Sequence, residues 1–227
     1  MKENKMGTME VRRLILTMSL PIMISMLVQA LYNIVDSMFV ARVSEAALAA
    51  VSLCYPIQMI MVAVACGTGV GINALLSRYL GEKKREKASQ VAMHGLFCAI
   101  CNWLVFAVIG LFFSEAFLRL FSDDVQIIMM GISYMQICTI CSFGVFVQIT
   151  YERIMQSTGN TIYNMVIQGV GALINIILDP IFIFGLGPVP ALGTAGAAIA
   201  TVIGQIVAMF LGIIITQKKV REVQLSV

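Results

Sequence analysis

Six apolar segments dominate this chain, and each is long enough to cross a lipid bilayer as a helix. A membrane-spanning helix needs about 20 predominantly apolar residues. The segments cover residues 14–40, 46–76, 91–113, 125–149, 162–185 and 194–216. Only 12% of the residues are charged, well below the ~25% of soluble domains. The sequence therefore predicts an all-α integral membrane protein with six transmembrane helices.

Short connections join these segments, so the sequence predicts one lobe without an inserted soluble domain. We expect a cytoplasmic N-terminal segment at 1–13, the transmembrane lobe at 14–216 and a cytoplasmic C-terminal segment at 217–227. Most basic residues fall on one side of the membrane: Lys2, Lys5, Arg12, Arg13, Arg78, Lys83, Lys84, Arg85, Lys87, Arg153, Lys218, Lys219 and Arg221. Because cytoplasmic connections are enriched in Lys and Arg, both termini are expected in the cytoplasm. The expected location of the protein is the plasma membrane.

A polar helical face lies inside the first apolar segment. Gln29, Asn33 and Asp36 are spaced at i, i+4 and i+7, which places them on one side of a helix. An ionisable side chain inside a membrane helix costs at least ~2.5 kcal/mol to insert, so it marks a functional site by default. A structural polar contact between helices is the alternative reading.

A second carboxylate lies in the fifth apolar segment. Asn175 and Asp179 are one helical turn apart, and Pro180 follows directly. Proline removes a backbone donor and disfavours helix at the preceding residue, so a kink or break is expected beside Asp179. Freed carbonyl oxygens next to a carboxylate suit a small cation. Alternatively, the helix simply ends at Asp179, although apolar residues follow it.

These groups fall at similar depths when residues are counted from the membrane edge. Asp36 and Asp179 each lie six residues from a connection, or roughly 9 Å at helical rise. Thr201 and Tyr134 are expected roughly 11 and 14 Å from the same side. A proton or a sodium ion at this level would couple to helix packing. Pro21 gives the first helix a place to bend.

Small residues indicate where helices approach closely. Gly67 and Gly71 form a G-x-x-x-G pattern in the second segment, and Gly196, Ala200 and Gly204 form a ridge in the sixth. Such patterns are typical of helix–helix contacts in membranes.

Two other classes of protein are disfavoured. The basic residues lie in short connections rather than along one helix face, so no nucleic-acid partner is expected. His94 is the only histidine, and no nucleophile–base pair or metal cluster is apparent, so enzymatic activity is not expected. We expect no cofactor.

Four stretches, in order along the chain, resemble signatures of the multidrug and toxic compound extrusion (MATE) transporters. They are residues 32–40 (YNIVDSMFV), 156–161 (QSTGNT), 175–180 (NIILDP) and 193–201 (GTAGAAIAT). The resemblance implies an antiporter that uses H⁺ or Na⁺ to export small cationic or amphipathic compounds.

The resemblance also implies roles for individual residues. It implies ion coupling at Asp36, Asn175, Asp179 and Thr201, the residues that would also hold Na⁺, with Tyr134 nearby. Gln29 would line the substrate cavity. Asn33 lies on the same polar helical face, so we expect it to line the cavity as well. Pro21 would be the point at which the first helix bends.

The chain departs from the family in length, because MATE transporters have two six-helix lobes. A continuing second lobe or a parallel homodimer would each supply the missing partner. Two alternatives remain open: a flippase for lipid-linked oligosaccharides, and a non-transporting fragment or scaffold. The flippase alternative predicts Arg or Lys inside the spans, and the sequence suggests none.

Overall fold

The computed structural model describes residues 9–186 and 189–220, which form an all-helical bundle. The helices are α1 (Val11–Ala41), α2 (Glu45–Gly81), α3 (Arg85–Arg119), α4 (Val125–Ile140), α5 (Phe143–Ser157), α6 (Thr161–Phe184) and α7 (Thr194–Lys219). Residues 1–8 and 221–227, most of the predicted terminal segments, lie outside the described part. The helices begin and end a few residues beyond the predicted lobe.

Side-chain caps mark the starts of two of these helices. The Ser44 side chain accepts a hydrogen bond from Ala47 N at 3.0 Å, at the first turn of α2. Asp124 Oδ1 accepts from Gln126 N at 2.8 Å and begins α4. Each cap satisfies a backbone donor that has no partner within the helix.

Among the described residues, five helices are long and apolar enough to cross a membrane individually, and a bent pair of helices forms one further span, the fourth along the chain. Helices α4 and α5 meet at an angle of 43°. The prediction of one continuous span at 125–149 is therefore wrong in detail, because the chain breaks at Cys141 and Ser142. The second half of this span also extends further, to Ser157.

Polar side chains compete with the backbone at the break. Thr139 Oγ1 donates to Met135 O at 2.7 Å, and Ser142 Oγ donates to Thr139 O at 2.6 Å. Such local bonds bend helices. From α3, Trp103 Nε1 donates to Ile140 O at 2.7 Å and satisfies a carbonyl near the end of α4. The break is thus compatible with a membrane interior.

Helices α6 and α7 pack backbone to backbone, as the small-residue ridge on α7 predicts. A Cβ atom on Gly196 would lie 2.4 Å from Phe182 O, and one on Gly204 would lie 2.8 Å from Gly171 O. The G-x-x-x-G pattern on α2 behaves differently. A Cβ on Gly67 or Gly71 meets no described atom within 4 Å, so that pattern makes no close helix contact within the lobe.

Both prolines of interest lie within continuous helices. Helix α6 passes through Pro180 and ends at Gly185, which has a left-handed φ of 74°. The predicted break at Pro180 is therefore absent, because the apolar residues after it continue the helix. Helix α1 likewise passes through the buried Pro21, and Ser25 Oγ donates to Pro21 O at 2.9 Å.

Helix α1 lies at the edge of the bundle and packs mainly against α6. Its buried residues are Pro21, Ser25, Asp36 and Val40. Much of its remaining surface is apolar and exposed, and includes Leu16, Leu20, Met23, Met26, Leu27 and Leu31. Asp36 is therefore a buried acid on a helix that is otherwise largely exposed.

Candidate functional site: a polar cavity beside two buried carboxylates

A cavity of about 300 Å³ opens between α1, α2, α5, α6 and α7. This volume is at the lower end of the range for small-molecule sites. Its wall includes five glutamines: Gln29, Gln148, Gln156, Gln168 and Gln205. Apolar side chains such as Met26 and Val145 complete the wall. A wall of amide and apolar groups suits an amphipathic organic ligand.

Glu152 is the acidic residue of the cavity wall, and only 3% of its surface is exposed. Gln148 Nε2 donates to its Oε1 at 3.0 Å, and Gln168 Nε2 donates to its Oε2 at 2.9 Å. Asn164 Nδ2 also donates to the backbone carbonyl of Glu152 at 3.0 Å. These neutral donors fix the position of the carboxylate without neutralising it.

Arg153 also lines the cavity, from the next position on α5. Its Nη1 donates to Gln156 Oε1 at 2.7 Å, and its Nη2 lies 3.6 Å from Cys66 Sγ on α2. Its Nε is buried and has no partner among the described residues. The sequence-based assignment of Arg153 to a connection is wrong, because α5 continues past it to Ser157.

The two predicted carboxylates come together on neighbouring helices. Asp36 of α1 is 8% exposed and Asp179 of α6 is 0% exposed. The Oδ1 atom of each accepts no hydrogen bond from the described residues. The two side chains lie within electrostatic range of each other. Holding both carboxylates charged at such a site is costly, so the arrangement favours binding of a proton or a small cation.

Asn175 connects this carboxylate pair to the cavity. We orient its amide by its hydrogen bonds: Nδ2 then donates to Asp179 Oδ2 at 3.1 Å, and Oδ1 accepts from Thr201 Oγ1 at 3.1 Å and Thr201 N at 3.0 Å. Both Asn175 and Thr201 line the cavity, whereas Asp36 and Asp179 do not. The carboxylate pair therefore adjoins the cavity through one amide and one hydroxyl.

Two tyrosines lie near the carboxylates. Tyr134 of α4 is buried, and its hydroxyl accepts a hydrogen bond from Gln58 Nε2 at 3.2 Å. It lies within electrostatic range of Asp36. Tyr32, which the sequence did not single out, lines the cavity and lies within electrostatic range of both Asp36 and Asp179.

The residues predicted to line a substrate cavity separate into two places. Gln29 lines the 300 Å³ cavity. Asn33 instead lies in an open groove between α1 and α2, with Ser37 and Tyr55. The expectation that Asn33 shares the cavity with Gln29 is therefore not met, because the helical face that carries them spans two surfaces.

The oxygen atoms of the carboxylate pair, together with Asn175 and Thr201, are the groups that could hold a cation. Within residues 9–186 and 189–220, no three His, Cys, Asp or Glu residues gather as a metal site. A sodium ion would therefore depend on amide and hydroxyl oxygens as well as on Asp36 and Asp179.

Glu152 is the main cavity residue that the sequence did not reveal. Hydropathy ends the fourth segment at Ile149, so residues 152 and 153 read as part of a polar connection. The available signal was the spacing of Gln148 and Glu152 at i and i+4, followed by Gln156. This spacing places three polar side chains on one face of a helix.

The fold and the site define a multi-pass membrane protein with a polar, charged cavity among its helices. The family model MatE matches residues 21–181, and the chain belongs to this family of MATE transporters. It is 30% identical over 199 residues to a protein named FAD transporter from Shewanella oneidensis. It is 28% identical over 208 residues to the probable multidrug resistance protein YoeA of Bacillus subtilis.

The solved structures agree on the fold. One, described as an outward-facing conformation of a multidrug resistance MATE family transporter of the MOP superfamily, has a TM-score of 0.91 and 28% sequence identity. The match covers 100% of this chain and 50% of that structure. The S. oneidensis match covers 88% of this chain and 44% of the relative, and the B. subtilis match covers 90% and 44%. The chain thus spans about half the length of these proteins.

Proposed function

We propose that this chain is one lobe of a cation-coupled antiporter that exports cationic or amphipathic compounds. The observation that carries the proposal is the pairing of Asp36 on α1 with Asp179 on α6. Both carboxylates are buried, and the Oδ1 atom of each has no hydrogen-bond partner in the described part of the chain. In a membrane interior, such a pair demands a neutralising ion. The family membership supports transport as the process that uses this ion.

The proposed coupling ion is H⁺ or Na⁺. A proton would neutralise one carboxylate directly, whereas Na⁺ would also use oxygens of Asn175 and Thr201. Either ion changes the electrostatic cost of keeping α1 against α6, so ion binding would shift the packing of these helices. Pro21 weakens the hydrogen-bond ladder of α1 and is the proposed bending point.

The proposed cargo site is the 300 Å³ cavity. Glu152 offers a carboxylate to a cationic group, and the surrounding glutamines offer donors and acceptors to polar substituents. Asn175 and Thr201 belong to both the cavity and the proposed ion site. Ion binding at the carboxylate pair would therefore alter the cavity wall through the side chains of Asn175 and Thr201.

The proposed partner of this lobe is a second six-helix lobe. The matched relatives are about twice as long, which supports a two-lobe transporter. A continuing chain would supply a second lobe in the same orientation, and a parallel homodimer would supply an equivalent surface. The exposed apolar side of α1 is the surface that would be covered.

The proposed location is the plasma membrane, with both termini in the cytoplasm. Two features support this orientation under the positive-inside rule. Helix α7 ends with Lys218 and Lys219, and the connection between α2 and α3 carries a cluster of basic residues.

Transport by reconstituted protein tests the proposal. The 227-residue chain is placed in vesicles, an H⁺ or Na⁺ gradient is imposed, and efflux of a cationic dye is followed. Asp36→Asn and Asp179→Asn should each abolish gradient-dependent efflux. Asp123→Asn, which changes an exposed acid before α4, is the matched control and should transport normally. Normal transport by both buried variants would show that the ion site is wrong.

Failure of the wild-type chain alone would show that one lobe is insufficient. In that case, the same assay with a second lobe fused after Val227 separates an incomplete transporter from a non-transporting scaffold. A scaffold gives no gradient-dependent efflux in either form, and Asp36→Asn then changes no activity.

A flippase-like function for anionic cargo is the second candidate, and Arg153 is the observation that favours it. The sequence suggested that no basic residue lies within the spans, but Arg153 lines the cavity. A relative named FAD transporter also belongs to the matched set, which supports an anionic cargo. Translocation of a fluorescent lipid-linked oligosaccharide analogue, without an ion gradient, distinguishes this candidate from the antiporter.

A further inference from the structure

The cavity contains one acid and one base that are not paired with each other. The ion pairs of the described residues join Arg78 and Lys84 to Glu82, and Arg119 to Glu115, so Arg153 has no carboxylate partner within 4.0 Å. The carboxylate of Glu152 is held by two glutamine amides instead. The two charges therefore line one cavity while each is hydrogen-bonded to neutral groups.

The guanidinium of Arg153, a residue of the cavity wall, has donors that no described residue accepts from. Its two described contacts are an amide oxygen and a sulfur atom, and its Nε has no partner. A guanidinium carries five N–H donors in a planar fork that matches carboxylate and phosphate groups. An unpaired cation in a membrane interior normally faces a cavity and marks a ligand pathway.

The surrounding structure keeps Arg153 in this position. Its side chain passes over Gly69 of α2, where a Cβ atom would lie 2.7 Å from Arg153 Cγ. Gly69 therefore leaves the space through which the guanidinium reaches Gln156 and Cys66. The neighbouring Glu152 is turned toward α6, where Gln168 donates to it. Arg153 therefore contacts α2 and Glu152 contacts α6, although the two charges remain within electrostatic range of each other.

We propose that the cavity binds an amphoteric cargo, with a cationic group beside Glu152 and an oxyanion, carboxylate or phosphate, beside Arg153. This inference deepens the proposed transport function and rests on it for the meaning of the site. It differs from a purely cationic specificity, in which Arg153 would repel the cargo. It also differs from a purely anionic specificity, in which Glu152 would do so.

Equilibrium binding without an ion gradient tests this inference separately from transport. The full chain is placed in phosphatidylcholine nanodiscs and titrated against two xanthene dyes by fluorescence polarisation. One dye carries a free carboxylate and is zwitterionic, and the other is its ethyl ester and is cationic. A third dye, with a phosphate in place of the carboxylate, distinguishes the two oxyanions. The wild-type chain should bind both oxyanion dyes more tightly than the ester.

The variants separate the two charges. Arg153→Gln should reduce the preference for the acid over the ester by about ten-fold. This factor corresponds to the lower end of the range of free energies contributed by a charge-assisted hydrogen bond. Arg153→Lys should restore part of that preference. Glu152→Gln should weaken both dyes about ten-fold. Arg119→Gln, an exposed arginine on α3, is the matched control and should change neither.

The preference is a ratio measured within each variant, so partial loss of folded protein does not alter it. An equal effect of Arg153→Gln on acid and ester would overturn the inference and leave Arg153 a structural contact. Loss of the acid preference on adding phosphatidylglycerol would show that a lipid headgroup occupies Arg153, and would also overturn it. A normal preference without gradient-driven transport would contradict the proposed antiport while leaving the inference intact.

Discussion

Gly69 of α2 lies directly beneath the side chain of Arg153 of α5. A Cβ atom at position 69 would come within 2.7 Å of Arg153 Cγ, closer than real side chains allow. The contact joins two helices that both line the cavity. This close contact explains why a glycine is present at position 69, in the middle of a long apolar helix.

Substituting Gly69 should displace Arg153 without removing its charge. We expect Gly69→Ala to weaken binding of the carboxylate dye severalfold, because the guanidinium can no longer follow its path to Gln156. Binding of the ester should change much less. Fluorescence polarisation in nanodiscs measures both affinities.

Gly67 and Gly71 provide the controls for this prediction. They flank Gly69 on α2, and a Cβ on either meets no described atom within 4 Å. Gly67→Ala and Gly71→Ala should leave the dye preference unchanged. If they alter it as much as Gly69→Ala does, the effect belongs to α2 as a whole and not to the contact with Arg153.

The buried carboxylates should make thermal stability depend on the coupling ion. An ion that binds only the folded chain raises the unfolding temperature. We therefore expect the unfolding temperature to rise with Na⁺ if sodium is bound, or with falling pH if a proton is bound. Asp36→Asn and Asp179→Asn should each reduce this dependence, as followed by circular dichroism in detergent.

The amide variants need not be less stable in the absence of the ion. Replacing a buried carboxylate that has no ion pair among the described residues by an amide removes a costly charge. Unfolding temperatures equal to or above wild type are therefore expected at alkaline pH without Na⁺. Retention of a full ion dependence in the double variant would assign that dependence to other groups. Asp123→Asn controls for the loss of one negative charge.

Close packing of α6 and α7 predicts a strong effect at Gly196. Alanine there would place a Cβ against the backbone at Phe182, which cannot move aside as a side chain can. We expect Gly196→Ala to destabilise the lobe by about 1–3 kcal/mol, the usual cost of overpacking. Unfolding by SDS measures the change. Gly169→Ala, on α6 with open space around it, should have a much smaller effect.

Trp103 should stabilise the break between α4 and α5. Trp103→Phe retains an aromatic ring but leaves Ile140 O without its 2.7 Å hydrogen bond. We expect a loss of about 1 kcal/mol in the free energy of unfolding. Phe112→Leu, an exposed aromatic change on the same helix, should be close to neutral. Equal stability of Trp103→Phe and wild type would mean that another group satisfies this carbonyl.

The spans were predictable from the sequence because hydropathy reports the solvent of a whole segment. Five of the six correspond to single helices whose ends lie within a few residues of the predicted limits. The break in the fourth was not predictable in this way. Residues 141 and 142 are neither proline nor glycine. The bend combines a local hydrogen bond from Ser142 with one from Trp103 of α3, and only the assembled bundle provides the second.

The common depth of the two carboxylates was predictable for a different reason, whereas counting residues could not show that they face each other. An acid within an apolar run is conspicuous, and residue counting placed Asp36 and Asp179 at one level. Glu152 and Arg153 were missed because they follow the apolar run and resemble a solvated helix end. Their buried charges are stabilised by hydrogen bonds with glutamine amides. Gln148 and Gln168 donate to Glu152, and Gln156 accepts from Arg153.

The position of α1 has a consequence for how freely its sequence can vary. Where lipid alone covers Leu16, Leu20 and Leu27, any apolar residue should serve, since acyl chains adapt to side-chain shape. Where a second lobe or a second copy covers them, only particular shapes should fit. Saturation mutagenesis of this face, with the amount of folded protein in the membrane measured for each variant, would therefore show whether lipid or protein covers it. Neither the lobe nor its partner would have to be purified.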